Sequence, residues 1–228
     1  MPNKISSLLH PIVKHFVKLR DSALYRHEQD SVLLMGNRLV AEVMQKRAPK
    51  EVFTKERVTE NILRKVSGLS TFNETIAEFP MPKQQSLDSF SKLLVIDHIA
   101  DPGNLGTLLR TAVALGWEGV FILPNSVDPF NDKVMRSSRA ALFSLPYKMG
   151  SFEDLNSLSI GFTPLIADLS GQNLQQIAKP QKPMLVLSNE AHGVSEKMKK
   201  WGTRITIPIA NMESLNVAAA GAILMYYL

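Results

Sequence analysis

Cysteine is absent from this chain of 228 residues. That excludes disulfides, thiolate metal sites, iron–sulfur clusters and any reaction through a cysteine nucleophile. With five histidines and no thiol, a metal centre is not expected. Long hydrophobic runs are missing as well. The longest, Val217 to Leu228, is broken only by Gly221. It falls well short of the about 20 residues that span a bilayer, and reads as a buried helix. No signal-type apolar block follows the N-terminus, where His10, Lys14, His15, Lys18 and Arg20 interrupt the apolar positions. A cytoplasmic setting without a membrane partner is therefore expected.

Acidic residues are scarce at the start, and none precedes Asp21. Residues 1–65 hold 13 Lys and Arg against 7 Asp and Glu, whereas residues 91–228 hold 12 against 11. The net charge of +5 thus resides in the N-terminal part. A basic segment beside a nearly neutral one suggests a module that grips a polyanion such as RNA. A solvated basic face without a partner gives the same count. Hydrophobic residues make up 45% of the chain and charged residues 21%, an ordinary globular balance.

The pattern divides the chain into a small α/β domain over residues 1–82, a linker over 83–91 and a larger α/β domain over 92–228. In the first, apolar periodicity predicts helices over 10–20, 38–46, 56–67 and 73–79, with strands over 31–35 and 51–54. In the second, strands over 93–98, 119–124, 145–148, 163–168, 183–188 and 204–209 alternate with helices. Those helices are expected over 104–115, 132–142, 172–178, 194–200 and 213–228. Near-continuous apolar strands alternating with helices imply a mostly parallel sheet covered on both faces. Ligands of such sheets sit at the carboxyl ends of strands. The loops after 98, 124, 188 and 209 are therefore the ones to read.

The first of these runs from Asp97 through Asp101-Pro102-Gly103-Asn104 to Arg110. Asn104 is a suitable N-cap, and Gly106 and Arg110 share a helix face four residues apart. The start of a helix with an arginine a turn or two inside is a natural anion site. A capped helix with a surface arginine explains the same residues. Neither G-x-G-x-x-G nor Gly-Lys-Ser/Thr occurs here, which disfavours a dinucleotide fold and a P-loop. The loop after 188 reads Ser188-Asn189-Glu190-Ala191-His192-Gly193. The loop after 209 leads through Met212-Glu213-Ser214-Leu215-Asn216 into a helix rich in small residues. Backbone-rich loops with few polar side chains suit an adenine-like ligand. Trp117 and Trp201 read as core or interface aromatics.

Together the three loops resemble the motifs of the SpoU/TrmH branch of the SPOUT methyltransferases. Asn104, Gly106 and Arg110 match N-x-G-x-x-x-R. Glu190 and Gly193 match the second motif. Ile207, Pro208, Ser214, Leu215, Asn216, Val217, Ala218 and Ala220 match the third. The resemblance is strong over residues 93–228 and weaker over 5–79, which are similar to the family's substrate-binding domain. Ser188 stands where the family has glycine, and a hydroxymethyl group there crowds a ligand held against the backbone. Arg136-Ser137-Ser138-Arg139-Ala140-Ala141 resembles R-x-S-x-G-A, with Ala140 in place of glycine. The segment from Ile207 to Ser214 is one residue short, with Asn211 near a usual glycine.

The resemblance implies a trefoil knot in the C-terminal domain and S-adenosyl-L-methionine as cofactor. It also implies a homodimer and methylation of a ribose 2′-hydroxyl in structured RNA. Ribosomal RNA is the first expectation. Transfer RNA, or a non-catalytic ribosome-assembly role on the same fold, is the alternative. It assigns catalysis to Arg110, Asn104, Glu190, Ser214 and Asn216. Cofactor binding falls to Leu187, Ser188, Asn189, Gly193, Ile207, Ile209, Leu215, Asn216 and Ala218. RNA contact is expected from Lys14, Lys18, Arg20 and Arg26 in the basic segment, and from Arg136 and Ser138. Arginine is a poor base because its pKa exceeds about 12. Arg110 is thus either deprotonated with help from a phosphate or acts as a charge on the developing alkoxide. His192 is the other candidate base.

Overall fold

The computed structural model describes residues 4–189 and 193–228. Two compact units divide the chain. One comprises Met1–Pro82 with Asp128–Ala140, the other Lys83–Val127 with Ala141–Leu228.

The first unit opens with α1 (Pro11–Asp21), whose proline sits at the start, where its missing N–H is not needed. Val13, Phe16 and Leu19 recur at helical spacing and are buried. A short helix, α2 (Ala23–Gln29), follows, capped by Ser22 and ended by Asp30 in the left-handed conformation. Then come β1 (Ser31–Met35), α3 (Asn37–Met44), β2 (Glu51–Phe53), α4 (Glu60–Ser67) and β3 (Ile76–Pro80). The strands form an antiparallel sheet in the order β1-β3-β2. The helix expected over 73–79 is thus the central strand. Ile76, Ala77, Glu78 and Phe79 are all buried, so no alternation marks them, and a short buried run carries no period of its own. Phe16 stacks on Phe53 at 4.1 Å in the core below the sheet.

The second unit holds β4 (Leu93–Asp97), α5 (Pro102–Ala114) and β5 (Gly119–Ile122). The chain then leaves it for Asp128–Ala140, which carries α6 (Asp132–Ser137). It returns with β6 (Tyr147–Met149), α7 (Phe152–Leu158), β7 (Thr163–Asn173), β8 (Pro183–Ser188), α8 (Glu196–Trp201), β9 (Thr203–Thr206) and α9 (Val217–Tyr227). Among the described residues these strands form one sheet in the order β6-β5-β4-β8-β7-β9, with every pairing parallel. β4, β5 and β8 are buried almost throughout, as a doubly covered parallel sheet requires. Trp117 is buried and donates from its indole to the Met225 carbonyl, while Trp201 donates to Asn156.

Several boundaries differ from expectation, and three of them bear on the site. α5 begins at Pro102, and its cap is Asp101, whose carboxylate accepts the Asn104 N–H at 2.8 Å. Asn104 therefore lies inside the first turn. α9 begins at Val217, after an irregular segment that the sequence suggested was helical. In place of a helix over 172–178, β7 continues to Asn173 and only Leu174–Gln176 turn as a 3-10 helix. The extra length of β7 contains a detour. Ala167 and Gln172 both pair with Ile205 of β9, so residues 168–171 bulge out between them.

Asp128–Ala140 belongs to the first unit for a specific reason. Arg26 is buried, with 3% of its surface exposed. Its guanidinium donates to the Asp128 carboxylate and to the carbonyls of Leu19 and Arg20, at 2.7 and 2.8 Å. Arg26 is thus withdrawn from any RNA surface. Ser138 is withdrawn likewise, being 2% exposed with its hydroxyl on the Met135 carbonyl. Arg139 bridges to Glu42 at 2.6 Å, which with Arg38 holds the Glu42 carboxyl below its usual range. Ala140, in place of the family's glycine, has a φ of +55°, a conformation glycine adopts at less cost. Breaking a buried pair strands a charge, so Arg26→Ala is expected to lower the unfolding free energy by about 3–5 kcal/mol. Denaturant melts check this, and a loss under about 1 kcal/mol contradicts it.

No helix among the described residues is long and apolar enough to cross a membrane.

Candidate active site

A cavity of about 310 Å³ opens in the second unit beside the carboxyl end of β8 and the bulge of β7. Its walls come from separate stretches of chain. β8 supplies Leu187 and Ser188, followed by Asn189, with Gly193 and Val194 beyond. β9 and the segment after it supply Ile205, Thr206, Ile207 and Ile209. The approach to α9 gives Ser214 and Leu215, and α9 itself gives Val217, Ala220 and Leu224. The β7 bulge closes the cavity with Ala167, Asp168, Leu169 and Ser170, and Lys199 of α8 completes it.

The structure therefore gathers Leu187, Ser188, Asn189, Gly193, Ile207, Ile209, Ser214 and Leu215 around one space. Asn104, Arg110, Asn216 and Ala218 are not in its wall. Glu190 and His192 lie outside the described residues. The sequence reading missed the β7 bulge and Lys199. The rule that ligands lie beyond strand ends would have found the bulge if applied to the strand beginning at 163.

Ser188 does not project its hydroxyl freely. The hydroxyl donates to Asp97 Oδ2 at 2.8 Å, across the register that pairs Asp97 with Ser188. Asp97 is buried, and its other oxygen meets His98 Nδ1 at 2.5 Å. Asn189 donates to the His98 carbonyl at 3.1 Å. One buried carboxylate thus ties the end of β4 to the end of β8, and the serine replacing glycine is a member of that tie.

A second link joins the first and third motifs. Asn216 caps α9, its Oδ1 accepting the N–H groups of Ala218 and Ala219 at 2.9 and 3.4 Å. Its amide Nδ2 donates to Asn104 Oδ1 at 3.0 Å. The starts of α5 and α9 are therefore fixed to each other by two side chains, one from each motif. Gly221 permits close approach further along. A Cβ there would lie 2.4 Å from a Leu108 methyl and 2.7 Å from one of Leu187. Arg110, on the same α5, is exposed and makes no hydrogen bond or ion pair with a described residue.

At the other wall, Asp168 Oδ1 accepts the Ser170 N–H at 2.7 Å. Its Oδ2 is buried without a hydrogen-bond partner among the described residues, 3.8 Å from Arg204 Nη1. Lys199 donates to Glu196 at 2.9 Å, and that bond first, with a smaller contribution from Asp168, raises its pKa.

A parallel sheet with a largely apolar cavity at its strand ends defines an α/β protein built to hold a small ligand. The chain belongs to the SpoU rRNA Methylase family, whose model matches residues 91–226. It is 30% identical over 251 residues to the 23S rRNA (guanosine(2553)-2′-O)-methyltransferase RlmP of Bacillus subtilis, an alignment covering 99% of this chain and 98% of that one. It is also 30% identical to a 23S rRNA (uridine(2479)-2′-O)-methyltransferase of Streptomyces viridochromogenes, over 58% of this chain and 50% of the relative. In fold it is similar to the AdoMet-bound rRNA methyltransferase of Sinorhizobium meliloti, with a TM-score of 0.88 and 23% identity over 99% of this chain and 96% of that one.

Proposed function

We propose that this protein transfers a methyl group from S-adenosyl-L-methionine to a ribose 2′-hydroxyl of ribosomal RNA. One observation carries the reading: stretches of the second and third motifs, brought in from β8 and from the segment between β9 and α9, wall a single cavity. Its volume of about 310 Å³ and its apolar lining suit an adenosine-sized ligand. The buried Oδ2 of Asp168, without a hydrogen-bond donor among the described residues, supplies a polar anchor in the same wall. Residues of the family's motifs thus fit the cofactor.

When bound, the cofactor supplies a methyl group on an activated sulfonium. The protein's share is alignment and charge. Leu187, Ile207, Ile209 and Leu215 would hold the base, and Ser188, Asn189 and Gly193 would offer it backbone and small polar groups. Asn104 and Asn216 hold the α5 and α9 starts in register, so that Arg110 projects from a fixed helix. Arg110 acts as a cation: it binds a neighbouring phosphate and stabilises the oxyanion that develops as the 2′-hydroxyl passes its proton to that phosphate or to water. Ser214, exposed at the cavity mouth, positions the ribose. Glu190 belongs to the same reading as a partner of Arg110 or Asn104. The trefoil knot does too, as does pairing of two copies, which would cover the exposed Ile223 and Tyr226 of α9.

The first unit is the RNA-gripping part of this reading. Lys14 and Lys18 are exposed one turn apart on α1. Arg20 is committed instead to Asp21 and to the carbonyls of Lys65 and Val66 at the end of α4. Arg136 pairs with Asp132 and retains 30% side-chain exposure. Replacing Lys14 and Lys18 with Gln is expected to weaken RNA binding. The slope of log K against log salt should flatten by about 0.7–0.9 for each phosphate that α1 no longer neutralises. An unchanged slope in filter-binding assays removes α1 from the RNA surface.

The reading is tested by incubating the protein with S-adenosylmethionine and 23S, 16S or transfer RNA from cells lacking the gene. Modified nucleotides are then mapped. A single new 2′-O-methyl in 23S rRNA is expected. Methylation of transfer RNA alone would reassign the substrate. Absence of both cofactor binding heat and methylation of any RNA would support a non-catalytic role.

A further inference from the structure

The β7 bulge brings an acidic side chain into a cavity that is otherwise mostly apolar. Asp168 stands at its first position, directly after Ala167 leaves register with Ile205. Its side chain is 9% exposed. One oxygen serves the bulge itself by accepting the Ser170 N–H, while the other accepts nothing among the described residues. A buried carboxylate oxygen left without a donor is costly, and native proteins seldom leave one so. Asp168 also lines the cavity, so a ligand there is the natural source of the missing donor.

Charge narrows the kind of donor. Arg204 Nη1 stands 3.8 Å from the free oxygen, and Lys199 lines the same cavity. The carboxylate already has cations beside it, so a further cation such as an amino-acid ammonium would crowd three positive groups around one negative charge. A neutral O–H donor adds no charge. It gains the strength of a hydrogen bond to an ionised acceptor. The cofactor carries such donors as a pair, the 2′- and 3′-hydroxyls of its ribose. Carboxylates at strand ends bind ribose hydroxyls in unrelated parallel α/β folds for the same reason.

We propose that Asp168 recognises the ribose diol of the bound cofactor, accepting from its hydroxyls through Oδ2 while Oδ1 keeps the bulge closed on Ser170. This rests on the cofactor reading above. It makes residues 168–171 a specificity element for a ribonucleoside, a role outside the three motifs that define the family resemblance.

The test is calorimetric and needs no RNA. Wild type and Asp168→Asn are titrated with S-adenosylhomocysteine, with 5′-deoxy-5′-methylthioadenosine and with the 2′,3′-dideoxy form of the latter. Asn keeps an oxygen for the Ser170 N–H but presents an amide where the diol needs an acceptor. Asp168→Asn is expected to weaken the first two ligands equally, by roughly 10- to 100-fold, the cost of one hydrogen bond to a charged group. The dideoxy ligand should bind wild type and variant alike. Wild type preferring the diol ligand over its dideoxy form supports the proposal even if the variant folds poorly. Weakening confined to S-adenosylhomocysteine would overturn it in favour of the amino-acid ammonium. Equal affinities of wild type and variant for every ligand would leave the carboxylate to Arg204 alone and overturn it too. Failure of wild type to bind any of the three ligands would instead sink the cofactor reading on which it rests.

Discussion

Arg110→Ala is expected to cut methyl transfer by roughly 100- to 1,000-fold or more, the usual effect of removing a charge that meets the transition state. Affinity for S-adenosylhomocysteine should stay within about twofold. The two effects separate because Arg110 projects from α5 and takes no part in the cavity wall. Asn104 and Asn216 hold the start of that helix whether or not the arginine is present. Arg110→Lys should recover only part of the rate, since an ammonium carries the charge but not the planar fork that spans a phosphate and an oxyanion. Single-turnover methylation paired with calorimetry measures both quantities. Transfer at the wild-type rate in the alanine variant would remove Arg110 from the chemistry. A parallel collapse of cofactor affinity would make it a binding residue.

Gly171→Ala should be the most damaging single methyl in the second unit. A Cβ at 171 would lie 2.5 Å from the Ile205 nitrogen and 2.6 Å from the carbonyl carbons of Arg204 and Ile205. These are backbone atoms of β9 and cannot turn aside as a leucine methyl can. Either the bulge or β9 must move. Overpacking of this kind costs about 1–3 kcal/mol, and clashes with backbone belong at the upper end. The bulge carries Asp168 and Ser170 into the cavity wall, so ligand affinity should fall by at least about tenfold along with stability. Thermal melts with and without S-adenosylhomocysteine read both effects. Unaltered melting would mean that β7 and β9 can part at little cost.

The sheet and its order of elements were legible because buried parallel strands are written as plain apolar runs, such as Leu93–Ile96 and Met184–Leu187. The motif loops were legible because ligand-bearing loops lie where those runs stop. Reading by runs failed where burial erased the pattern, at β3, and where a strand was stretched by a bulge, at β7. The α5 cap was misplaced because Asp101 and Asn104 are both good caps. Pro102 decides between them, since proline is at home in the first helical position. Arg26 departs from expectation for a deeper reason. Counting charges along a chain says nothing about depth, and this arginine's partner, Asp128, stands 102 positions away.

That long-range partner has a consequence for anyone wielding a protease or a gene fragment. The first unit is assembled from two lengths of chain, and its second length is spliced into the middle of the other unit. A cut after Pro82 does not release a finished domain. The piece 1–82 leaves Arg26 facing a hole where Asp128 should be, and the remainder carries α6 with nothing of its own unit to lie on. Fusion, permutation or swapping of the basic part must therefore carry 128–140 along with it. The unit is inherited as a pair of exons of structure, not as an N-terminal tag.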